Sequence, residues 1–332
     1  MKHGGSIYKV AKKLHCQPEE IIDFSSNINS YRPPLDIEQS DEMIVKYADN
    51  SYKGLKKAVS GKYAVSRREM ALFNGATAAI FELFRGLKPK EVTLYAPLYS
   101  EYERAAKEAS KKIIKINRFE ELYKIPKKRS IVVFVNPSTP DGKFYGLERL
   151  FDIWKQQKCT VILDESFLEF EKLPSQRSRL EADKRLYIVQ SFTKFHACAG
   201  MRIGAVFSQK KNIRKLHTPR WNLSSFDAEF LKRRLEDGTF TKQAQKRHLQ
   251  EKELLFELLQ KSRLFDKIYP SDSNFFLVRS DKSEAIYRTL LRQRVLVREC
   301  ENFDFLDRRH LRFAVKERAS LEVLKKALDA LS

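Results

Sequence analysis

Short apolar runs alternate with helical patterns through the middle of the chain. Runs at 92–96, 131–135, 161–164 and 186–189 are rich in Val, Ile and Leu and bounded by turn formers or charged residues, as in strands buried on both faces. Strands that alternate with helices pair in parallel. The pattern therefore predicts an α/β fold whose main sheet is mostly parallel and flanked by helices.

The two ends of the chain have a different pattern. Near the start, Ile7, Val10, Ala11 and Leu14 have helical spacing, and an extended run follows. A long helix is predicted from about residue 245, followed by apolar strand patterns at 273–278, 295–300 and 311–315. We predict a large domain of residues 41–244 and a smaller α+β domain made from residues 1–40 and 245–332.

Composition narrows the class of protein. The chain of 332 residues, 42% hydrophobic and 32% charged, is long enough to bury a large core. No apolar run approaches the ~18 residues of a membrane helix, and the first residues lack the apolar core of a signal peptide. The four cysteines are scattered without metal-binding spacing. We expect reduced thiols, no metal, no membrane and a cytoplasmic location.

The net charge of +21 raises an alternative of another class, a basic nucleic-acid-binding protein. Lysines and arginines are spread over the whole length, however, without zinc-finger spacing, an aromatic RNA-binding strand or a basic tail. We interpret the charge as solvated surface and expect no nucleic-acid partner. The same charge would attract an anionic substrate.

Candidate chemistry follows two of the predicted strands. Asp164 ends one apolar run, at the edge of an α/β sheet where ligands bind. After the next run come Ser191, Thr193 and Lys194, and then Arg202 between two glycines. A desolvated lysine amine attacks carbonyl groups, and hydroxyls with an arginine bind phosphate. Taken alone, a Ser-x-Thr-Lys tetrad is better explained by an exposed turn after a strand.

The order Asp, Ser-x-Thr-Lys, Gly-x-Arg resembles the aspartate aminotransferase superfamily of pyridoxal phosphate enzymes, known as fold type I. The resemblance implies that Lys194 binds pyridoxal 5'-phosphate covalently and that Asp164 pairs with its ring nitrogen, both as catalytic residues. Ser191, Thr193 and Arg202 would bind the cofactor phosphate.

Further cofactor contacts are implied at five residues. A helix start at Asn74-Gly75 would present the amides of Ala76 and Thr77 to the phosphate. Tyr99, after a proline, would stack on the ring, while Tyr102 is predicted to be a packing residue. Thr139 stands where relatives have the asparagine that contacts the cofactor's phenolic oxygen. Tyr47, in the place of a tyrosine that crosses the dimer interface, implies a homodimer.

The beginning of the chain narrows the resemblance. His-Gly-Gly-Ser-Ile followed by Asp-Phe-Ser-Ser-Asn-Ile-Asn is similar to the start of threonine-phosphate decarboxylases of the cobalamin pathway, which are related to histidinol-phosphate aminotransferases. The resemblance implies substrate contacts from His3, Gly4 and Asn27. The adjacent glycines, Gly4 and Gly5, have backbone amides that could face an anion.

Three residues further along the chain complete the implied substrate site. Trp221 matches a tryptophan that borders the pocket in these decarboxylases. Arg298 and Arg312, each in or beside an apolar strand, have the spacing of the pair of arginines that binds the substrate's anionic groups. A buried structural ion pair would explain either arginine equally well.

These residues imply a pyridoxal phosphate enzyme acting on a small phosphorylated amino acid. The resemblance favours decarboxylation of L-threonine O-3-phosphate to (R)-1-amino-2-propanol phosphate. L-serine O-phosphate, smaller by one methyl group, is a rival substrate, since a methyl contributes only ~1–3 kcal/mol of discrimination. Residue types alone do not separate this lyase from a histidinol-phosphate aminotransferase.

Overall fold

A computed structural model describes residues 5–35, 37 and 41–331. The helices are α1 Ile7–Leu14, α2 Asp41–Val45, α3 Lys53–Tyr63, α4 Gly75–Gly86, α5 Glu101–Glu108, α6 Glu148–Gln156, α7 Lys210–Ile213, α8 Ser225–Glu236, α9 Phe240–Lys261, α10 Ser283–Arg292 and α11 Arg318–Asp329. The strands are β1 Ile22–Asp23, β2 Met70–Asn74, β3 Glu91–Ala96, β4 Lys112–Asn117, β5 Ile131–Val135, β6 Thr160–Asp164, β7 Leu186–Ser191, β8 Ile203–Phe207, β9 Lys267–Ile268, β10 Phe275–Arg279, β11 Val295–Leu296, β12 Arg298–Glu299 and β13 His310–Ala314.

The main sheet has seven strands in the order β2-β8-β7-β6-β5-β3-β4. Strands β4, β3, β5, β6 and β7 pair in parallel, and β8 runs antiparallel to both of its neighbours. The predicted α/β fold with a mostly parallel sheet is confirmed. Strand β4 lies on one side of β3, and the next strand along the chain, β5, lies on the other. This reversal of direction opens a crevice at the carboxyl ends of β3 and β5.

Alternate residues of the central strands build two cores. In β5, Val132 and Phe134 pack in the core on one face of the sheet, and Ile131, Val133 and Val135 pack in the core on the other. All five are almost fully buried. Burial on both faces explains why the strand is a continuous apolar run and why it was recognisable in the sequence.

A second sheet is built from the carboxyl-terminal part of the chain, in the order β12-β13-β10-β9. The amino-terminal strand β1 pairs in parallel with β11 of the same part, which brings the first residues beside it. Helix α9 begins at Phe240 and runs for 22 residues, so the predicted boundary at residue 244 falls inside a helix. The division into two domains at residues 41 and 244 stays a prediction.

Among residues 5–35, 37 and 41–331, no helix is long and apolar enough to cross a membrane.

Candidate active site

Polar side chains from several strands meet in one cavity at the carboxyl edge of the main sheet. Asp164 ends β6, and Lys194 follows β7 after a short turn. The two residues line a cavity of about 290 Å³. Since parallel strands end at a common edge, a carboxylate and an amine that are distant in sequence become neighbours there.

Asp164 is held by two hydrogen bonds. Its Oδ2 accepts from the hydroxyl of Tyr102 at 2.8 Å, and its Oδ1 accepts from the backbone N–H of Ser166 at 2.9 Å. Burial, together with the adjacent carboxylate, holds the pKa of Tyr102 well above its usual value, so the phenol stays a donor. The prediction that Tyr102 only packs is therefore incomplete.

The amine of Lys194 lies in an environment that favours its neutral, nucleophilic form. Burial lowers the pKa of Lys194, against the attraction of Asp164. The positive charges of Arg202 and Arg312 lower that pKa further. The amine also lies 5.4 Å from the centroid of the Phe167 ring, an apolar neighbour. A lysine with these features is suited to attack a carbonyl group.

A group of amides, hydroxyls and one guanidinium surrounds the start of α4. A Cβ on Gly75 would lie 2.8 Å from Arg202 Nη2, and a Cβ on Gly204 would lie 2.4 Å from the backbone N of Ala76. Gly75 also has φ +80°, which favours glycine. The glycines thus allow Arg202 and β8 to approach the amino end of a 12-residue helix, where amides and dipole favour an anion.

Two hydroxyls complete this part of the cavity. The Oγ of Ser191 lies 2.9 Å from Oγ1 of Thr193, within hydrogen-bonding distance, and both side chains line the cavity. Thr77, in the first turn of α4, has its Oγ1 3.5 Å from the hydroxyl of Tyr99. These residues, predicted separately from the sequence, are brought together.

Thr139 links the turn after β5 to the second sheet. Its Oγ1 accepts a hydrogen bond from Arg312 Nη1 at 3.1 Å, and its carbonyl accepts one from Arg118. Arg118 is buried and ion-paired with Asp141 in the same turn. Because the Thr139 hydroxyl accepts from Arg312, its own proton is available to an acceptor in the cavity.

The two predicted arginines face each other across neighbouring strands. Arg298 of β12 is in register with Arg312 of β13, and both line the same cavity as Lys194. Arg298 is 2% exposed and Arg312 is 6% exposed. Within the part of the chain that the structure describes, no carboxylate lies within ion-pair distance of Arg312, so a simple structural ion pair does not account for it.

The amino-terminal loop closes one side of the cavity. Arg312 Nη2 donates to the carbonyl of Ser25, and the backbone N–H of Asn29 donates to the carbonyl of Lys194. Asn27 is buried among the lining residues, and its Oδ1 has no hydrogen-bond partner in the described structure. An unsatisfied buried oxygen of this kind is suited to a ligand donor.

The backbone amide of Gly5 differs from the prediction. The backbone N–H of Gly5 donates to Ser25 Oγ at 2.8 Å, so in this arrangement it is not directed at an anion. The hydroxyl of Ser25 in turn donates to Asp23, which fixes the start of the loop. His3 and Gly4 lie outside the described residues.

Tyr47 and Trp221 lie outside this cavity. Their rings stack on each other with centroids 4.5 Å apart, and Tyr47 is 81% exposed. The prediction that Trp221 borders the pocket is not met within one chain, because its ring packs on Tyr47 at the surface. Tyr47 lies in the connecting segment between α2, which ends at Val45, and α3, which begins at Lys53.

Fold and cavity together define a fold type I, pyridoxal phosphate-dependent enzyme, and comparison with known proteins identifies its family. Residues 19–331 match aminotransferase class I and II, and the chain belongs to this family.

Similar proteins include both decarboxylases and aminotransferases. The chain is 28% identical to a threonine-phosphate decarboxylase of Salmonella typhimurium, over 98% of this chain and 95% of that protein. It is also 28% identical to the adenosylcobalamin biosynthesis bifunctional protein CobDQ of Leptospira interrogans, but it spans only 41% of that longer protein. The histidinol-phosphate aminotransferase of Clostridium acetobutylicum superposes with a TM-score of 0.84 at 27% identity, covering 93% of this chain and 98% of that chain.

The residues present fit pyridoxal phosphate. The glycine-lined start of α4 and Arg202 form a cradle suited to a phosphate, and the lysine with a lowered pKa is suited to a carbonyl group. Asp164 is oriented by two donors, which suits a partner for a protonated ring nitrogen.

The hydrogen bond from Tyr102 to Asp164 leads to a first prediction. Tyr102→Phe should lower kcat/KM roughly 10- to 100-fold and weaken cofactor binding, since a hydrogen bond to a charged group contributes about 1.5–3 kcal/mol. Steady-state kinetics and cofactor titration measure both effects. As a control, Tyr187→Phe removes the hydroxyl of another buried tyrosine, on β7, and should change neither. Equal losses in the two variants would count against a specific role for Tyr102.

Proposed function

We propose that the protein decarboxylates L-threonine O-3-phosphate to (R)-1-amino-2-propanol phosphate. The observation that carries this proposal is the facing pair Arg298 and Arg312 in the cavity of Lys194 and Asp164. Two guanidinium groups in one small cavity suit a substrate with two anionic groups, a phosphate and a carboxylate. The similarity to the Salmonella decarboxylase over nearly the whole chain supports the same assignment.

In this mechanism, bound pyridoxal phosphate supplies an electron sink for the electron pair released when a bond to the substrate Cα breaks. Its phosphate would be bound by Arg202, the start of α4, Ser191 and Thr193.

The chain's own residues would orient the substrate and move its protons. Arg298 and Arg312 would hold the two anionic groups, and Asn27 Oδ1 would accept a hydrogen bond from the substrate. The amine of Lys194 would carry the proton that replaces carbon dioxide at Cα. The closing loop around Ser25 and Asn29 would keep water away from these groups.

Transamination is the second candidate, supported by the similarity to the Clostridium aminotransferase. The same residues would serve both reactions. In transamination no carbon dioxide leaves, and Lys194 would remove a proton from Cα. The two reactions therefore differ in the orientation in which the arginines hold the substrate. Only transamination needs an oxo-acid partner.

A direct assay separates the candidates. Purified protein with pyridoxal phosphate is given L-threonine O-3-phosphate, L-serine O-phosphate or histidinol phosphate, with and without 2-oxoglutarate, and carbon dioxide and glutamate are measured. Release without the oxo acid supports the decarboxylase and ranks the two substrates. No carbon dioxide, but glutamate formed with histidinol phosphate as donor, would replace the proposal with the aminotransferase.

We further propose that the enzyme is a homodimer in which Tyr47 contacts the partner's cofactor. The exposed Tyr47 ring and its stacking on Trp221 support a surface that a second chain would cover. Mixing Lys194→Ala chains with Tyr47→Ala chains should restore activity, because each mixed dimer would have one intact site. If a tagged pull-down shows that chains have exchanged while activity stays absent, the role of Tyr47 is wrong.

The proposed setting is the cytoplasm. Cys159, Cys198 and Cys300 are buried and unbonded, which supports a reducing compartment.

A further inference from the structure

Three charged side chains join the main sheet to the second sheet at the cavity. Lys115 belongs to β4, the edge strand of the main sheet. Its Nζ donates to Glu103 Oε2 of α5 at 2.8 Å and to Asp304 Oδ1 at 2.7 Å. Asp304 lies in the turn of residues 300–306 between β12 and β13, and Glu103 and Asp304 both line the cavity. One lysine thus ties that turn to α5.

The 300–306 turn also holds Arg298. Asn302 Oδ1 accepts a hydrogen bond from Arg298 Nη2 at 2.5 Å, and the ring of Phe303 lies 5.4 Å from the guanidinium carbon. Backbone hydrogen bonds from Phe303 to Cys300 and from Leu306 to Phe303 make the turn tight. A shift at Asp304 would therefore move the neighbouring contacts of Arg298.

The charges of this bridge also bear on anion binding. Glu103 and Asp304 would place two negative charges beside a cavity lined with arginines, and Lys115 compensates them. Burial alone would raise the pKa of Glu103, but hydrogen bonds from Lys107 and Lys115 outweigh it and lower that pKa. The side chains of Lys115, Glu103 and Asp304 are 28%, 25% and 35% exposed, so water screens the bridge only in part.

We propose that Lys115 is a positioning residue for the anionic substrate. By fixing the 300–306 turn against α5, it holds Arg298 in place and offsets carboxylate charge that would repel the substrate. The inference rests on the proposed function in one respect, that the substrate is a phosphorylated anion.

Lys107 provides a matched control. It pairs with the other oxygen of Glu103, Oε1, at 2.6 Å, but its side chain is 67% exposed and it does not line the cavity. Lys107→Met and Lys115→Met each remove one positive charge that pairs with the carboxylate of Glu103. Only the second change breaks the link to Asp304.

The test compares these variants as holoenzymes. Lys115→Met should raise the KM for L-threonine O-3-phosphate roughly 3- to 30-fold, the range for residues that act on a site through others, while kcat and cofactor affinity stay unchanged. Lys115→Arg should restore most of the loss, and Lys107→Met, which removes charge compensation but leaves the link to Asp304, should raise the KM much less. An unchanged KM in Lys115→Met, or equal increases in the two lysine variants, would overturn the proposal.

A second measurement does not depend on turnover. Inorganic phosphate should raise the melting temperature of the wild-type holoenzyme, and this rise should be smaller in Lys115→Met than in Lys107→Met. If the wild type does not act on threonine phosphate but this difference is seen, the proposed function fails while the role of Lys115 stands. If turnover is seen and the two variants respond equally to phosphate, Lys115 lacks the role and the proposed function stands.

Discussion

Replacing Lys194 with alanine should abolish turnover and the yellow colour of the bound cofactor together. The structure gives the reason, since burial lowers the pKa of this amine within the cavity of Asp164. In the proposed mechanism, its removal would take away the covalent attachment of the cofactor and the group that moves the proton at Cα. The expected loss in kcat is at least the roughly 10²–10⁴-fold of a positioned acid or base. Absorbance spectra and steady-state kinetics measure the two effects.

A second lysine provides the control for this experiment. Burial also lowers the pKa of Lys111, but its amine donates to the carbonyl of Leu87 and does not line the cavity. Lys111→Ala should keep both the colour and the activity. If Lys194→Ala keeps them too, the assignment of the central residue is wrong.

The centre of the site could be predicted because its chemistry follows directly from strands. Asp164 and Lys194 each come at or just after a continuous apolar run, and the edge where parallel strands end is common to both. The strand pattern therefore placed both residues at one edge of the sheet, whereas their roles were implied by the resemblance to fold type I enzymes. The resemblance also implied the cradle at α4, where Gly75 marks the turn at which that helix begins.

Contacts that depend on how separate elements pack could not be predicted in the same way. Tyr102 has the helical spacing of a packing residue, and only its distance to Asp164 reveals the hydrogen bond. Lys115 and Asp304 are far apart in sequence and stand in ordinary charged surroundings. Nothing in their local sequence indicates a bridge between two sheets.

The surroundings of Trp221 at the surface also could not be predicted from the sequence. Trp221 was predicted to border the pocket, whereas its ring stacks on Tyr47 away from the cavity. A site completed by a second chain leaves aromatic residues exposed in a single chain, and local patterns do not distinguish them from packing residues.

Arg312→Ala should weaken substrate binding far more than cofactor binding. Arg312 lies in β13 opposite Arg298, and burial lowers its pKa to about 10, which still leaves it charged at neutral pH. Removing a buried charged partner costs about 2–5 kcal/mol, so the KM should rise roughly 30-fold or more. The cofactor cradle at α4 and Arg202 does not include Arg312, so the dissociation constant of the cofactor should change much less.

The two readouts separate a binding role from a structural one. Arg312 also donates to Ser25 and Thr139, so its loss could loosen the amino-terminal loop and the turn after β5. A structural role predicts equal losses in substrate and cofactor binding and a lower melting temperature. Arg279 is the matched control, because it lies on the adjacent strand β10 of the same sheet but outside the cavity. Arg279→Ala should leave both constants unchanged, so a large rise in KM confined to Arg312→Ala would assign the substrate anion to this arginine.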